Sequence, residues 1–260
     1  QHKIVGKNTV KLINDITDYR NHIFYSHEAF RETRNLNFPL FYLFSKGELT
    51  PNRESSVGLD FKEGNYLDRL ECIKTVKKYQ NLSEDKVLVL STTGYTSREL
   101  MSLGENDSTN FYMLGSMGCL SSFASGVAQS CFDKKFIVLD GDGSYLMRPE
   151  GTYVTNLFPV DNVLHIIFNN GTHLSTGGQL IPDIYLKELV SATSCYSKVV
   201  EVDDFDKFDE IVKEWITRPL VNSSRLTLIV KTTNRVNDNL PRPKSKPEEI
   251  LGRFVEELFR

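Results

Sequence analysis

Apolar residues along this chain alternate between short continuous runs and longer stretches with a helical rhythm. The runs at 39–44 (PLFYLF), 86–90 (KVLVL), 111–114, 135–139, 162–168, 198–202 and 225–231 have strand length, and their continuity suits strands buried on both faces. Between them, 66–79 places Leu67, Leu70, Ile73, Val76 and Tyr79 at helical intervals. Helices are also predicted over 97–103, 120–132, from the GDGS turn at 141–144 to about 157, over 183–191, and over 204–215 with Asp203 or Asp204 as cap. The segment 232–246 is polar and proline-bearing, so it reads as a loop, and Pro247 opens a last helix through Phe259. Repeated strand–helix units predict an α/β fold of three layers, α/β/α, with a mostly parallel sheet covered on both faces. Parallel crossovers are right-handed, which puts ligands at the carboxyl ends of the strands.

Composition adds little to this picture but excludes several function classes. The 260 residues are 40% hydrophobic and 25% charged, enough for a sizeable core and one or two domains. A net charge of −3 makes no electrostatic case for nucleic acid or anionic membrane. No apolar run approaches the roughly 20 residues of a bilayer span, and no stretch reads as a secretory leader. Cys72, Cys119, Cys131 and Cys195 lack CxxC pairing and read as reduced thiols, so a cytoplasmic location is expected. The sequon at Asn81-Leu82-Ser83 is then a chance match. Because the chain begins at Gln1 rather than Met, it is expected to be processed, trimmed, or one piece of a longer reading.

Candidate chemistry gathers where strands end. Gly141-Asp142-Gly143-Ser144 closes one apolar run and Asn169-Asn170-Gly171-Thr172 closes the next. A carboxylate (Asp142), a carboxamide (Asn170) and a backbone carbonyl (Thr172) can converge on one hard cation, with positions left for phosphate oxygens, which suits Mg²⁺ on a diphosphate. Ser144 can hydrogen-bond a phosphate, and a helix start after it favours an anion. Each half alone also reads as an ordinary tight turn. Gly115-Ser116-Met117-Gly118 lets backbone approach a phosphate before a helix, or is a strand–helix turn with a core methionine. No GxGxxG dinucleotide fingerprint occurs. Thr92-Thr93-Gly94-Tyr95-Thr96-Ser97-Arg98-Glu99 is rich in hydroxyls at a strand end, or is a helix start capped by Thr96 or Ser97. His173 follows the metal turn and either serves substrate and protons or is structural; His165, inside a strand, reads as structural.

These pieces together resemble the phosphonopyruvate and sulfopyruvate decarboxylases, thiamine-diphosphate-dependent enzymes. The likeness is carried by TTGYTSREL at 92–100, FYMLGSMG at 111–118, GDGS at 141–144, NNGTHLSTGGQ at 169–179 and NLPRPKSKPEE at 239–249. It implies a thiamine-diphosphate-binding fold, with thiamine diphosphate and Mg²⁺ as cofactors. By resemblance, Thr93, Gly94, Tyr95, Gly115, Ser116, Met117, Gly141, Asp142, Gly143, Ser144, Asn170, Thr172 and His173 hold the cofactor, Met117 lying beneath it and the Gly115 carbonyl receiving its amino group. Asp142, Asn170 and Thr172 ligate the metal. His173, Thr93 and Arg98 take catalytic or substrate-binding roles, with Thr96 a further donor, although Arg98 could pair with a carboxylate instead. The implied reaction decarboxylates 3-phosphonopyruvate to phosphonoacetaldehyde and CO₂, in phosphonate and antibiotic biosynthesis. Thr172 and Leu174 depart from the residues expected at those positions.

The resemblance also divides the chain. Residues 61–260 correspond to the diphosphate-binding domain. Residues 1–60, with GKNTVKLINDI at 6–16 and FPLFYLFSKGEL at 38–49, correspond to the end of a pyrimidine-binding domain plus a linker. The earlier part of that domain, which brings the glutamate acting on the aminopyrimidine, has no counterpart, and Glu28 and Glu32, in an expected helix, match no motif. The expectation is a β subunit that is inactive alone and joins a second subunit, as a dimer of heterodimers. Alternatives are a sulfopyruvate decarboxylase β subunit of a coenzyme M type pathway, or a non-catalytic cofactor-binding regulatory subunit. An acetolactate-type synthase would need a flavin-binding domain for which there is no room.

Overall fold

The computed structural model describes residues 9–11, 13–14, 23–24, 41–44 and 66–260, apart from 158–159, 182–184, 195–196, 236–239 and 241–243. Two compact units divide the chain, Gln1–Gly58 and Leu59–Arg260. In the first, β1 (Ile23–Phe24) pairs in parallel with β2 (Phe41–Tyr42). β2 falls inside the strand expected at 39–44, while the helix expected around Glu28 and Glu32 lies outside the described residues.

The second unit opens with α1 (Arg69–Gln80). It continues through β3 (Val87–Ser91), α2 (Tyr95–Ser102), β4 (Asn110–Tyr112), α3 (Leu120–Ser130) and β5 (Lys135–Gly141). Then come α4 (Asp142–Met147), α5 (Pro149–Thr155), β6 (Val163–Asn169), β7 (Thr172–His173), β8 (Gln179–Leu180) and α6 (Leu186–Thr193). β9 (Lys198–Val202), α7 (Phe205–Thr217), β10 (Leu226–Lys231) and α8 (Pro247–Leu258) complete it. Six strands form one sheet in the order β4-β3-β5-β6-β10-β9, and every pairing in it is parallel.

Strand residues alternate between the two faces, because successive side chains point to opposite sides. Val87, Val89, Ile137, Leu139, Leu164, Ile166, Leu228 and Val230 pack with α1, α2 and α7 through Ile73, Val76, Leu100, Phe208 and Val212. Their sequence neighbours Leu88, Leu90, Phe136 and Val138 face α3 and α8 through Leu120, Ala124 and Phe254. Ile167 and Ile229 meet Tyr145, Leu186 and Val190. With both faces covered, the strands carry apolar residues at every position, which is why their runs are continuous. Each fully buried Leu, Val or Ile contributes about 1.5–3 kcal/mol. The three-layer α/β/α architecture is the one predicted.

Local chemistry sets the helix boundaries. Asp68 caps α1 by accepting from Glu71 N at 3.1 Å. Asp204, not Asp203, caps α7 by accepting from Lys207 N at 2.9 Å. α2 starts at Tyr95 behind Gly94, so neither Thr96 nor Ser97 is its cap; Ser97 Oγ instead donates back to the Thr92 carbonyl. The single helix predicted from the GDGS turn to about 157 is broken at Arg148 (φ −150°, ψ 58°). Proline disfavours the helical conformation in the residue before it, and Pro149 then opens α5. The short antiparallel pair β7–β8 was not predicted, since two-residue strands leave no periodicity to read. Among the described residues no helix is long and apolar enough to cross a membrane.

Candidate active site

The strand order reverses between β3 and β5: the chain leaves β3 for β4 on one side and returns to β5 on the other. A crevice opens at the carboxyl ends of strands at such a switch point. There lies a cavity of about 290 Å³, lined by residues that follow β3 (Thr92–Thr96), β5 (Gly141–Ser144) and β6 (Asn170, Thr172–Thr176), with Arg69, Met117, Met147, Phe168 and Gln179.

Asp142, the first residue of α4, joins two of these strand ends. Its Oδ2 accepts from Asn170 N at 3.0 Å and Gly171 N at 2.7 Å, and its Oδ1 from Gly143 N at 2.7 Å. Asn170 Oδ1 in turn accepts from Thr172 N at 3.1 Å, and Thr172 Oγ1 donates to Asn234 Oδ1 at 3.1 Å. Gly171 turns the chain with φ +69°, a left-handed conformation that other residues adopt at a cost. Burial pushes the Asp142 carboxyl up to about 6, against the lowering effect of the three amides and of His173. Ser144 Oγ lies 2.8 Å from Thr92 Oγ1 and accepts from Gly118 N at 3.3 Å, so β3, β5 and the GSMG turn meet at one hydroxyl. α4 begins at Asp142 itself rather than after Ser144, which puts Ser144 inside the first helical turn.

His173 lies against Gly143: a Cβ there would sit 2.6 Å from His173 Nδ1, so glycine is what makes room for the imidazole. Thr93, Gly94, Tyr95, Met117, Gly141, Asp142, Gly143, Ser144, Asn170, Thr172 and His173 all line the cavity. Gly115 and Ser116 are exposed and outside the lining. Arg98 is also outside it: its Nη2 donates to the Leu240 carbonyl and its guanidinium lies 5.3 Å from the Tyr95 ring centroid. His165 is buried in β6 with Nε2 3.5 Å from Asp140 Oδ2. Sequence reasoning missed Arg69, Met147, Phe168 and Ser175 as lining residues. Arg69, Met147 and Phe168 lie outside the quoted motifs, while Ser175 lies within that at 169–179.

The residues present fit a diphosphate with a hard cation. Asp142 is 4% exposed, and among the described residues no Lys or Arg pairs with it, the setting a cation would complete. No cluster of three or more His, Cys, Asp or Glu occurs among the described residues. Asp142 and Asn170 line the cavity with a carboxylate and a carboxamide oxygen, the donor types Mg²⁺ takes alongside phosphate oxygens and water. Thr92, Thr93, Ser144 and the uncapped first turn of α2 supply donors for the anion.

Residues 92–221 match the family model described as thiamine pyrophosphate enzyme, C-terminal TPP binding domain. The chain is 32% identical over 166 residues to a phosphonopyruvate decarboxylase of Streptomyces viridochromogenes, a match covering 64% of this chain but 41% of that protein. It is 30% identical over 198 residues to the sulfopyruvate decarboxylase subunit beta of Methanocaldococcus jannaschii, covering 75% of this chain and 99% of the relative. The Methanococcus maripaludis subunit of the same name is 31% identical over 191 residues, with 96% of its length covered. Taken with the strand-end carboxylate, carboxamide and hydroxyls, these matches mean that the chain belongs to the thiamine pyrophosphate enzymes, alongside proteins named phosphonopyruvate decarboxylase and sulfopyruvate decarboxylase subunit beta.

Proposed function

We propose that this chain is the diphosphate-binding subunit of a thiamine-diphosphate- and Mg²⁺-dependent 2-oxo acid decarboxylase, converting 3-phosphonopyruvate to phosphonoacetaldehyde and CO₂. The observation that carries the reading is the Asp142 carboxylate, buried at the switch point and bonded to the Asn170 and Gly171 amides. In this reading residues 61–260 are the diphosphate-binding domain and 1–60 the remnant of a pyrimidine-binding domain. A cytoplasmic partner subunit carries the N-terminal pyrimidine-binding domain and its activating glutamate. Free Cys72, Cys119 and Cys131 agree with a reducing compartment.

When bound, thiamine diphosphate supplies the electron sink for loss of CO₂. The chain's own residues orient and shield. Asp142, Asn170 and the Thr172 carbonyl would hold the cation, and Thr93 and Ser144 the diphosphate. Met117, Phe168 and Leu174 give the cavity apolar walls that exclude water. His173, seated on Gly143 beside Asp142, stands ready to hold or pass a proton.

A second reading, with sulfopyruvate as substrate, is favoured by the near full-length match to two subunits of that name. Both acids share a pyruvate core and a terminal oxyanion. The test has two parts. Calorimetry should show thiamine diphosphate binding that needs Mg²⁺, and Asp142→Asn should weaken it at least about tenfold, the scale on which disturbed metal sites lose affinity. With the partner subunit supplied, the complex should release CO₂ from 3-phosphonopyruvate faster than from sulfopyruvate, and the chain alone from neither. Unchanged cofactor affinity in a folded Asp142→Asn protein would overturn the metal assignment. Turnover by the isolated chain would overturn the split site.

A further inference from the structure

Arg69 is a cation that the reading above leaves without a role. It is the first residue of α1, 7% exposed, and it lines the cavity. Its Nε donates to Glu99 Oε2 at 2.6 Å and its Nη2 to Glu99 Oε1 at 2.8 Å. Glu99, on α2, is itself 3% exposed. One edge of the guanidinium is thus engaged, and among the described residues Nη1 has no hydrogen bond. Arginine presents its donors in a planar fork and keeps its charge at any physiological pH, so Nη1 remains an unused donor on a residue that lines the cavity.

Helix stability does not account for this residue. A cation in the first turn opposes the helix dipole, whereas Lys77 and Lys78 in the last turn of α1 favour it. Nor is glue between α1 and α2 a sufficient reason, because a buried ion pair is commonly no more stabilising than apolar residues of like volume. A fixed guanidinium with one edge free is, however, what planar recognition of an oxyanion requires. Thr93 and Thr96 add hydroxyls to the same lining, and Thr96 shares a helix face with Glu99 three residues on. Among the described residues Arg69 is the only Arg or Lys in that lining.

We infer that Arg69, oriented by Glu99 and assisted by Thr93 and Thr96, receives the tetrahedral oxyanion at the far end of the substrate, a phosphonate or sulfonate group. The substrate's identity rests on the decarboxylase reading; the anion subsite rests on the cavity alone. The rival occupant of the same edge is the cofactor's diphosphate.

Titration of methylphosphonate and of methanesulfonate into the full chain, followed by calorimetry or NMR shifts, with and without thiamine diphosphate and Mg²⁺, tests the inference. Saturable binding of at least one anion should persist with the cofactor bound. Arg69→Gln should weaken it tenfold or more, the scale of a charge-assisted hydrogen bond, while cofactor affinity changes less than threefold. Because that variant strands a buried carboxylate, the double variant Arg69→Met, Glu99→Leu removes both charges and should lose anion binding at an unaltered melting temperature. Wild-type anion affinity in either variant, no saturable binding by the parent chain, or displacement of the anion by the cofactor would each overturn the inference. A chain that binds methylphosphonate through Arg69 but never binds thiamine diphosphate would sink the decarboxylase reading and leave the subsite standing.

Discussion

Gly143 and His173 show how narrowly the site is built at the scale of single residues. A methyl group at 143 would have to occupy the space of the imidazole edge, with Nδ1 2.6 Å and Cε1 2.8 Å from the new carbon. Gly143→Ala should therefore displace His173 and cost about 1–3 kcal/mol, the range of overpacking. Urea unfolding of the variant checks the cost, and the His173 ring shifts check the displacement. An Ala variant as stable as the parent, with an unshifted imidazole, would mean that the ring has room elsewhere. The residues proposed for the metal and the phosphates stood out in the sequence because each sits in a short motif after an apolar run. Arg69 was not, because an arginine opening an amphipathic helix reads as solvent-facing, and its partner Glu99 lies 30 positions away. Arg98 and Glu99 are adjacent in sequence but about 100° apart around α2, so one turns to the Leu240 carbonyl and the other into the core.

Among the elements, α7 depends on a contact no periodicity reveals. Lys135 opens β5 yet is fully buried. Its Nζ donates to the carbonyls of Ile216, at 2.8 Å, and Arg218, pairs with Asp85 at 3.0 Å, and lies 5.8 Å from the Trp215 ring centroid. One ammonium thus satisfies the last carbonyls of α7 and ties that helix to the start of a central strand. Lys135→Met should cost about 2–4 kcal/mol by leaving buried acceptors without a donor. Denaturant midpoints at constant slope measure it, and a loss below about 1 kcal/mol would mean water replaces the ammonium. Strand and helix types were readable because burial on both faces makes runs continuous and helices amphipathic. The break at Arg148 was readable in principle from Pro149, but the glycine-rich start of that segment masked it. The β7–β8 hairpin, extended by the Ile181 N to Gly171 O bond at 2.9 Å, is too short to leave a periodicity in the sequence.

For the whole molecule, the sheet order β4-β3-β5-β6-β10-β9 could not be read, since neighbours come from distant segments. Two carboxylates fasten the outer parts of this unit and contribute to its response to acid. Burial alone would push the Asp107 carboxyl up, but hydrogen bonds from Lys77 and Thr109 and the Lys77 charge outweigh it and hold Asp107 below its usual range. Hydrogen bonds from Lys86 and Ser108 hold Glu257, on α8, below its own. Groups depressed in the folded state stabilise it above their unfolded pKa, about 3.9 for Asp and 4.3 for Glu, and lose that contribution as pH falls through the folded value. Unfolding midpoints should therefore decline as pH drops below about 4.5. Asp107→Asn should be less stable at neutral pH and show a shallower acid decline. An equally steep decline would assign it to other groups.

The Thr92–Ser144 bond and the clamp on Asp142 have a further consequence, for folding. Parallel neighbours contributed by distant segments form late and slowly, because chain entropy must be overcome before they reward it. The cavity exists only once β3, β5 and β6 are in register, so an unfolded or half-assembled chain has nothing there to bind with. Whatever fills it is bound by the native state alone and holds that state in place. At a hundred times its dissociation constant, such a ligand adds about 2.7 kcal/mol. Scarcity of the cofactor would then lower the amount of folded protein as well as its activity.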